Sequence, residues 1–279
     1  MTKFLGLFIC VLGLSGHIFA EQPEAFSVVL RASDPPAPVA EVTTAGGGVA
    51  MVTRPEMAVH LPDPAVATGL ALVVCPGGSY REVGAFADGM RAVPYFVPEG
   101  VAVIVLKYRT RPPSQNVIDE ALEDAKRAMR LIRFHAQEWG INPSRVGMLG
   151  SSAGSHLILN LATHADPGNP SASDPVDRLT CRPDFIALLC PWPNKQPVTD
   201  FPFDKNSPPA FVACAIDDPV APITFSEDLV NAMHAAGVDA ELWKLEKGGH
   251  RAFKQVKNPA YQWPERLVSW LKSTGFWTE

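Results

Sequence analysis

The stretch Arg145-Val146-Gly147-Met148-Leu149-Gly150-Ser151-Ser152-Ala153-Gly154-Ser155-His156 decides the fold. Val146 to Leu149 is an apolar run that predicts a buried strand, and Ser155 to Ala162 reads as a helix. Between them stands Gly150-Ser151-Ser152-Ala153-Gly154, so a serine sits in a tight strand-to-helix turn. That context is what a nucleophile elbow requires. The turn leaves room only for small flanking residues, and it pushes the serine out above the sheet. The Ser152 hydroxyl then lies at a helix N-terminus, where the dipole and free amides favour developing negative charge. The pentapeptide alone is a common small-residue turn; its place after the strand gives it meaning. Gly147, Gly150 and Gly154 imitate a dinucleotide loop, but the G-x-G-x-x-G order is absent, as is an acid closing a following strand. The dinucleotide reading is rejected.

Working outward, apolar runs alternate with helical patterns from about residue 70 onward. Strands are predicted at Gly69–Cys75, Val101–Leu106, Arg145–Leu149, Asp184–Cys190, Ala210–Ile216 and Asp239–Leu245. Such two-faced apolar runs are expected where helices cover both sides of a mostly parallel sheet. Between them, Val117–Trp139 carries Ile118, Ala121, Leu122, Ala125, Ala128, Met129 and Ile132 on one stripe, and Gly140 with Asn142-Pro143 ends it. Phe225–Ala236 and Pro264–Ser273 are two further helices. The expected fold class is α/β, a single α/β-hydrolase domain over residues 49–279.

A serine hydroxyl needs a base to remove its proton, and this fold orders its triad as Ser, acid, His. Among the histidines that follow Ser152, His164, His234 and His250 have different prospects. His164 precedes any suitable acid, and His234 lies inside a helix. His250, in Lys247-Gly248-Gly249-His250, follows the last strand, where glycines let its ring swing over the sheet edge. The acid belongs after the penultimate strand, which ends in Asp217-Asp218-Pro219-Val220. Asp218 is the choice, because Pro222 four residues later suits the D-x-x-x-P turn of this fold, while Asp217 is left to brace the loop. Cys75-Pro76-Gly77-Gly78-Ser79-Tyr80 stands where the fold keeps its oxyanion loop, so the amides of Gly78, Ser79 and Ala153 are the expected oxyanion donors. Tyr80 beside that loop, and Trp192 in Pro191-Trp192-Pro193, are candidate sugar contacts or equally packing anchors. Arg109 and Asp124 are expected to form a structural ion pair.

The remaining composition bounds the function. A formal net charge of −5 excludes a general basic footprint for nucleic acid. Lys3, the apolar Phe4–Leu14 and a cleavage site after Ala20 read as a signal peptide over residues 1–20, so a secreted or periplasmic protein with no membrane anchor after cleavage is expected. Residues 21–48, rich in Pro, Gly, Ala and Thr, read as a flexible linker. Cys75, Cys181, Cys190 and Cys214 have no metal spacing and read as small buried hydrophobes, with Cys190–Cys214 the one pairing worth checking for a disulfide. No metal or organic cofactor is expected, because the chemistry needs only side chains and water.

Several motifs carry a resemblance to a known family. They are Pro62, Gly69–Tyr80 (GLALVVCPGGSY), Leu106–Arg109 (LKYR), Asp124–Ala128, Trp139–His156 (WGINPSRVGMLGSSAGSH), Arg182–Phe185, AIDDPVAP and EKGGH. Together, from about residue 50 to the C-terminus, they resemble the carbohydrate-esterase-like branch of the α/β-hydrolases, the acetylxylan and feruloyl esterases. The resemblance implies a Ser–Asp–His esterase acting on acylated plant polysaccharide or related sugar esters. Ser79, Ser155 and Arg251 stand where the family usually has glycine, so the acyl or leaving-group side is open to reshaping. A lipase or peptidase of the same fold is the alternative enzyme. A lipase would want a long apolar lid, whereas the loops at 165–183 and 191–209 are short, polar and Pro-rich. A non-catalytic hydrolase-like binding protein is the third reading, and it would be expected to lack a triad residue.

Overall fold

The computed structural model describes residues 25–31, 40–84, 91–111, 116–254 and 262–278. The expected signal peptide lies outside them. Eleven strands are seen among these residues: β1 (Phe26–Val29), β2 (Val42–Thr43), β3 (Val49–Ala50), β4 (Glu56–His60), β5 (Ala71–Cys75), β6 (Glu82–Val83), β7 (Ala102–Lys107), β8 (Val146–Ser151), β9 (Ile186–Leu189), β10 (Ala210–Ala215) and β11 (Ala240–Leu245). The main helices are α1 (Val93–Phe96), α2 (Val117–Phe134), α3 (Ala153–Thr163), α4 (Ile223–Ala235) and α5 (Trp263–Ser273).

Eight strands form one sheet in the order β1-β4-β7-β5-β8-β9-β10-β11. From β7 to β11 the pairing is parallel, while β1, β4 and β7 meet antiparallel. All six strands predicted from apolar runs are present. β5, β8, β9 and β10 are buried almost throughout because helices cover the sheet. α3 packs on β5, β8 and β9, α4 on β10 and β11, and α5 on β10. α3 is buried nearly all round, as befits a central helix, whereas α2 shows the expected amphipathic stripe.

Three expectations need correction. The segment read as a linker contributes β1, whose Phe26-Ser27-Val28-Val29 pairs with Val59 to Glu56 of β4. Pro-rich neighbours hid a tetrapeptide, ending in two β-branched valines, with a free sheet edge to join; Phe26 also lies edge-on to Trp139. Residues 42–43 are likewise not linker but β2 of a small three-stranded sheet with β3 and β6. Finally, α2 ends at Phe134 rather than Trp139, and the ring of the capping His135 stacks on Trp139.

The expected ion pair between Arg109 and Asp124 forms: Nε and Nη2 of Arg109 reach both carboxylate oxygens, at 2.6–3.1 Å. It ties the end of β7 to α2. The parallel strands all point their C-terminal ends one way. The loops leaving β5, β8, β9, β10 and β11 therefore gather along one edge, where ligands bind in open α/β sheets.

Candidate active site

The turn after β8 is strained in the way the sequence requires. Ser152 sits at φ 53°, ψ −118°, a conformation that L-residues rarely adopt and that surrounding structure must enforce. Its amide donates to the Leu189 carbonyl at 3.0 Å, and its carbonyl accepts from the His156 amide at 3.1 Å. The Ser155 hydroxyl adds bonds to the carbonyls of Gly150 and Leu189 at 2.9 and 3.1 Å. The glycine after the elbow has a steric cause: a Cβ on Gly154 would stand 1.8 Å from the Cys75 carbonyl oxygen. Helix α3 thus starts in direct backbone contact with the end of β5.

Ser152, His250 and Asp218 come together from the ends of three strands. His250 Nε2 lies 2.9 Å from Ser152 Oγ. On the other side of the ring, Nδ1 lies 2.8 and 3.1 Å from the two carboxylate oxygens of Asp218. The Asp218 side chain is fully buried and the imidazole is 22% exposed. Burial raises the Asp218 carboxyl, but hydrogen bonds from His250 and from the Ala221 and Val220 amides outweigh it, leaving the group below the ordinary carboxylate range. Asp218 is therefore ionised at neutral pH and can hold Nδ1 protonated, which leaves Nε2 as the acceptor facing the serine.

Asp217 turns elsewhere and accepts from the Gly248 and Gly249 amides at 3.2 and 2.8 Å. It braces the loop that carries His250. The other two histidines do local work: His164 Nδ1 meets the Asn160 carbonyl at the end of α3, and His234 Nε2 donates to the Ala240 carbonyl.

The Pro76–Glu82 loop lies beside Ser152, and a Cβ on Gly77 would contact Ser152 Cβ at 3.2 Å. Gly78, Ser79 and Tyr80 all take positive φ. The loop is closed by bonds from the Arg81 and Glu82 amides to the Gly78 carbonyl. The Tyr108 hydroxyl donates to the Pro76 carbonyl at 2.6 Å from below. Among the described residues, the amides of Gly78, Ser79 and Ala153 have no hydrogen-bond acceptor.

Tyr80 is placed differently from the sugar-contact expectation. It is only 3% exposed, and its phenol lies 2.8 Å from His156 Nδ1. The positive φ that opens the loop turns this side chain inward. His156 Nε2 in turn meets the Gln196 side-chain oxygen. Burial, partly offset by that bond, pushes the His156 imidazole down to about 4. A neutral ring with Nε2–H donating to Gln196 accepts the Tyr80 proton at Nδ1, satisfying all three groups. This Tyr80–His156–Gln196 chain ties the loop after β5 to the loop after β9, and sequence reasoning missed it. Its one signal was a histidine within the apolar α3. Trp192 is half-buried, its ring 6.1 Å from that of His156.

Cys190, Asp218 and His250 are the described residues whose donor atoms cluster as metal ligands would, within 4.8 Å of one another. The imidazole and carboxylate are already bonded to each other, and burial together with the Asp218 charge keeps the Cys190 thiol protonated. Cys75, Cys181, Cys190 and Cys214 are all free and buried. A cavity of about 30 Å³ touches His250, lined by Leu189, Cys190, Phe253 and Trp263 among others.

Residues 57–172 match the BD-FAE family. The chain is 28% identical over 237 residues to an acetylxylan esterase of Xylanibacter ruminicola, covering 79% of this chain and 48% of that protein. It is 28% identical over 206 residues to endo-1,4-beta-xylanase B of Butyrivibrio fibrisolvens, covering 64% and 32% respectively. The chain thus spans about a third of one relative's length and about half of the other's. Its structure is similar to that of an acetyl ester-xyloside bifunctional hydrolase from Caldicellulosiruptor lactoaceticus, with TM-score 0.74, 25% identity, and 91% and 97% of the two chains covered. It also shares the fold of a thermophilic esterase from Thermogutta terrifontis solved with butyrate, with TM-score 0.71, 20% identity, and 92% and 97% covered. By its sheet and by these likenesses, the chain has the α/β-hydrolase fold and is similar to esterases of its carbohydrate-esterase-like branch.

Proposed function

We propose that this chain is an exported serine carboxylesterase that removes acyl groups, foremost acetyl, from carbohydrate esters such as xylan. The observation that carries the reading is the unbroken relay from Asp218 through His250 to the Ser152 hydroxyl. In the first step Ser152 Oγ attacks the ester carbonyl while His250 Nε2 takes its proton. The oxyanion formed is held by the amides of Gly78, Ser79 and Ala153, each donor of this kind being worth ~10²–10³ in rate. As the C–O bond breaks, His250 returns the proton to the departing sugar hydroxyl, leaving an acyl-serine. Water then enters, gives a proton to His250 and attacks the acyl carbon. The carboxylic acid leaves as the serine recovers its proton.

A short acyl group on a sugar is supported by the matched relatives, which include an acetylxylan esterase and an acetyl ester-xyloside bifunctional hydrolase. Export is supported by Lys3, the apolar Phe4–Leu14 and the small Ala20. The test is a panel of acetylated xylo-oligosaccharide, feruloylated sugar and long-chain esters. Acetyl release that disappears in Ser152→Ala is expected, and failure to cleave any carboxylic ester would overturn the reading. Export is checked by the N-terminus of the protein released from a secreting host, expected at Glu21.

A further inference from the structure

A groove of about 420 Å³ opens from the oxyanion loop at Ser79 and runs between the β5 and β9 loops. That volume lies within the range of small-molecule sites, about 300–1,000 Å³. Among the described residues its charged lining is all of one sign: Arg81, Arg111 and Lys195 face it, and no acidic side chain does. All three are exposed, and none pairs with an acid among the described residues. This stands against a chain whose net charge is −5.

The groove is built rather than incidental. Trp192 forms part of its wall, held between Pro191 and Pro193 and backed by the His156 ring. An indole fixed in this way offers a flat apolar face to the C–H face of a sugar ring. Asn194 and Lys195 take successive left-handed conformations, φ 47° and 66°, in the turn that brings both to the groove wall with Trp192. The Arg111 amide donates to the Tyr80 carbonyl at 2.6 Å, fixing its backbone to the oxyanion loop. An aromatic platform with three cations around it, reaching the oxyanion loop at Ser79, matches a sugar that carries an anion.

We propose that this groove is a subsite for a negatively charged sugar on the leaving-group side, so that the preferred substrates are O-acylated glycans bearing uronate or sulfate groups. The inference rests on the esterase reading above and adds the class of glycan. Guanidinium groups suit both carboxylate and sulfate oxygens in paired hydrogen bonds.

The experiment compares kcat/KM on acetylated xylo-oligosaccharide with and without a glucuronate branch, on an acetylated sulfated oligosaccharide, and on an uncharged aryl acetate. The unaltered protein should favour an anionic over the neutral oligosaccharide by about tenfold at low ionic strength, chiefly through KM, and lose that preference in ~0.5 M salt. The R81Q/R111Q/K195Q variant should bring the ratio to about one. Preference for both anions, or for one alone, supports the subsite and says whether charge or carboxylate geometry is read. A ratio of one in the unaltered protein while aryl acetate is cleaved overturns the subsite and leaves the esterase reading standing. A ratio kept by the triple variant, or one indifferent to salt, overturns it as well. Failure to cleave even aryl acetate overturns both readings. The salt dependence of the unaltered protein decides the matter should the triple variant not fold.

Discussion

Asp217 and Asp218 are adjacent in the chain, yet one carboxylate grips the backbone of the His250 loop and the other grips the His250 ring. Asp218 reaches Nδ1 at 2.8 Å, and Asp217 receives the amides of Gly248 and Gly249. The two therefore fix the same histidine by different means, one by position and one by tautomer. Asp218→Asn removes the charge that holds Nδ1 protonated, and in a comparable triad that change lowers kcat by about 10⁴. We expect a loss of that order for Asp218→Asn with KM little changed. Asp217→Asn should lose far less, with any loss following the melting temperature. Steady-state kinetics and thermal unfolding of the two variants check the assignment, and the reverse ranking would make Asp217 the triad acid.

The His156 imidazole stands at about 4, well below the ordinary histidine value near 6.5, because burial disfavours its charged form. In the unfolded chain the same ring takes up a proton as pH falls through about 6.5. Between these two values the unfolded state binds more protons, so folding stability from this residue is complete above pH ~6.5 and is lost as pH drops toward 4. The full span corresponds to about 3 kcal/mol. His156→Gln keeps a hydrogen-bonding side chain and removes the titration. Chemical denaturation at pH 7 and pH 4 should show the unaltered protein losing about 3 kcal/mol more than His156→Gln; parallel losses would refute the buried neutral histidine.

Gly154 is required by contact rather than by backbone angle. A Cβ there would lie 1.8 Å from the Cys75 carbonyl oxygen, and backbone on backbone cannot yield cheaply. Gly154→Ala should push α3 away from β5, cost several kcal/mol and reduce activity with it, since α3 begins at Ser152, the proposed nucleophile. Gly46 is the control, its added Cβ meeting only Thr44 Oγ1 at 4.0 Å. Differential scanning calorimetry should find Gly46→Ala within about 1 kcal/mol of the unaltered protein.

Much of this architecture was legible because the chemistry is local. The elbow and the strand ends each lie within a few residues of an apolar run, and Pro222 pointed to the aspartate, Asp218, that lies against His250 Nδ1. What escaped reading depended on partners far away in sequence. β1 is four residues long and half-exposed, and its reason to exist is the edge of β4. Tyr80 looked like a rim residue because the sequence does not show its positive φ, which turns the ring toward His156, 76 positions on. The basic groove likewise draws Arg81, Arg111 and Lys195 from three separate loops. No window of the sequence holds them together.

The proposed reaction requires a covalent bond between Ser152 and the acyl group of its substrate. A fluorophosphonate probe reacts with a serine only when a base has activated it, and peptide mass mapping locates the adduct. One equivalent of label is predicted, on the peptide that contains Ser152. Ser152→Ala should abolish labelling and lower kcat by a factor on the order of 10⁶. Full labelling of Ser152→Ala, or an adduct on any other residue of the unaltered protein, would contradict the account.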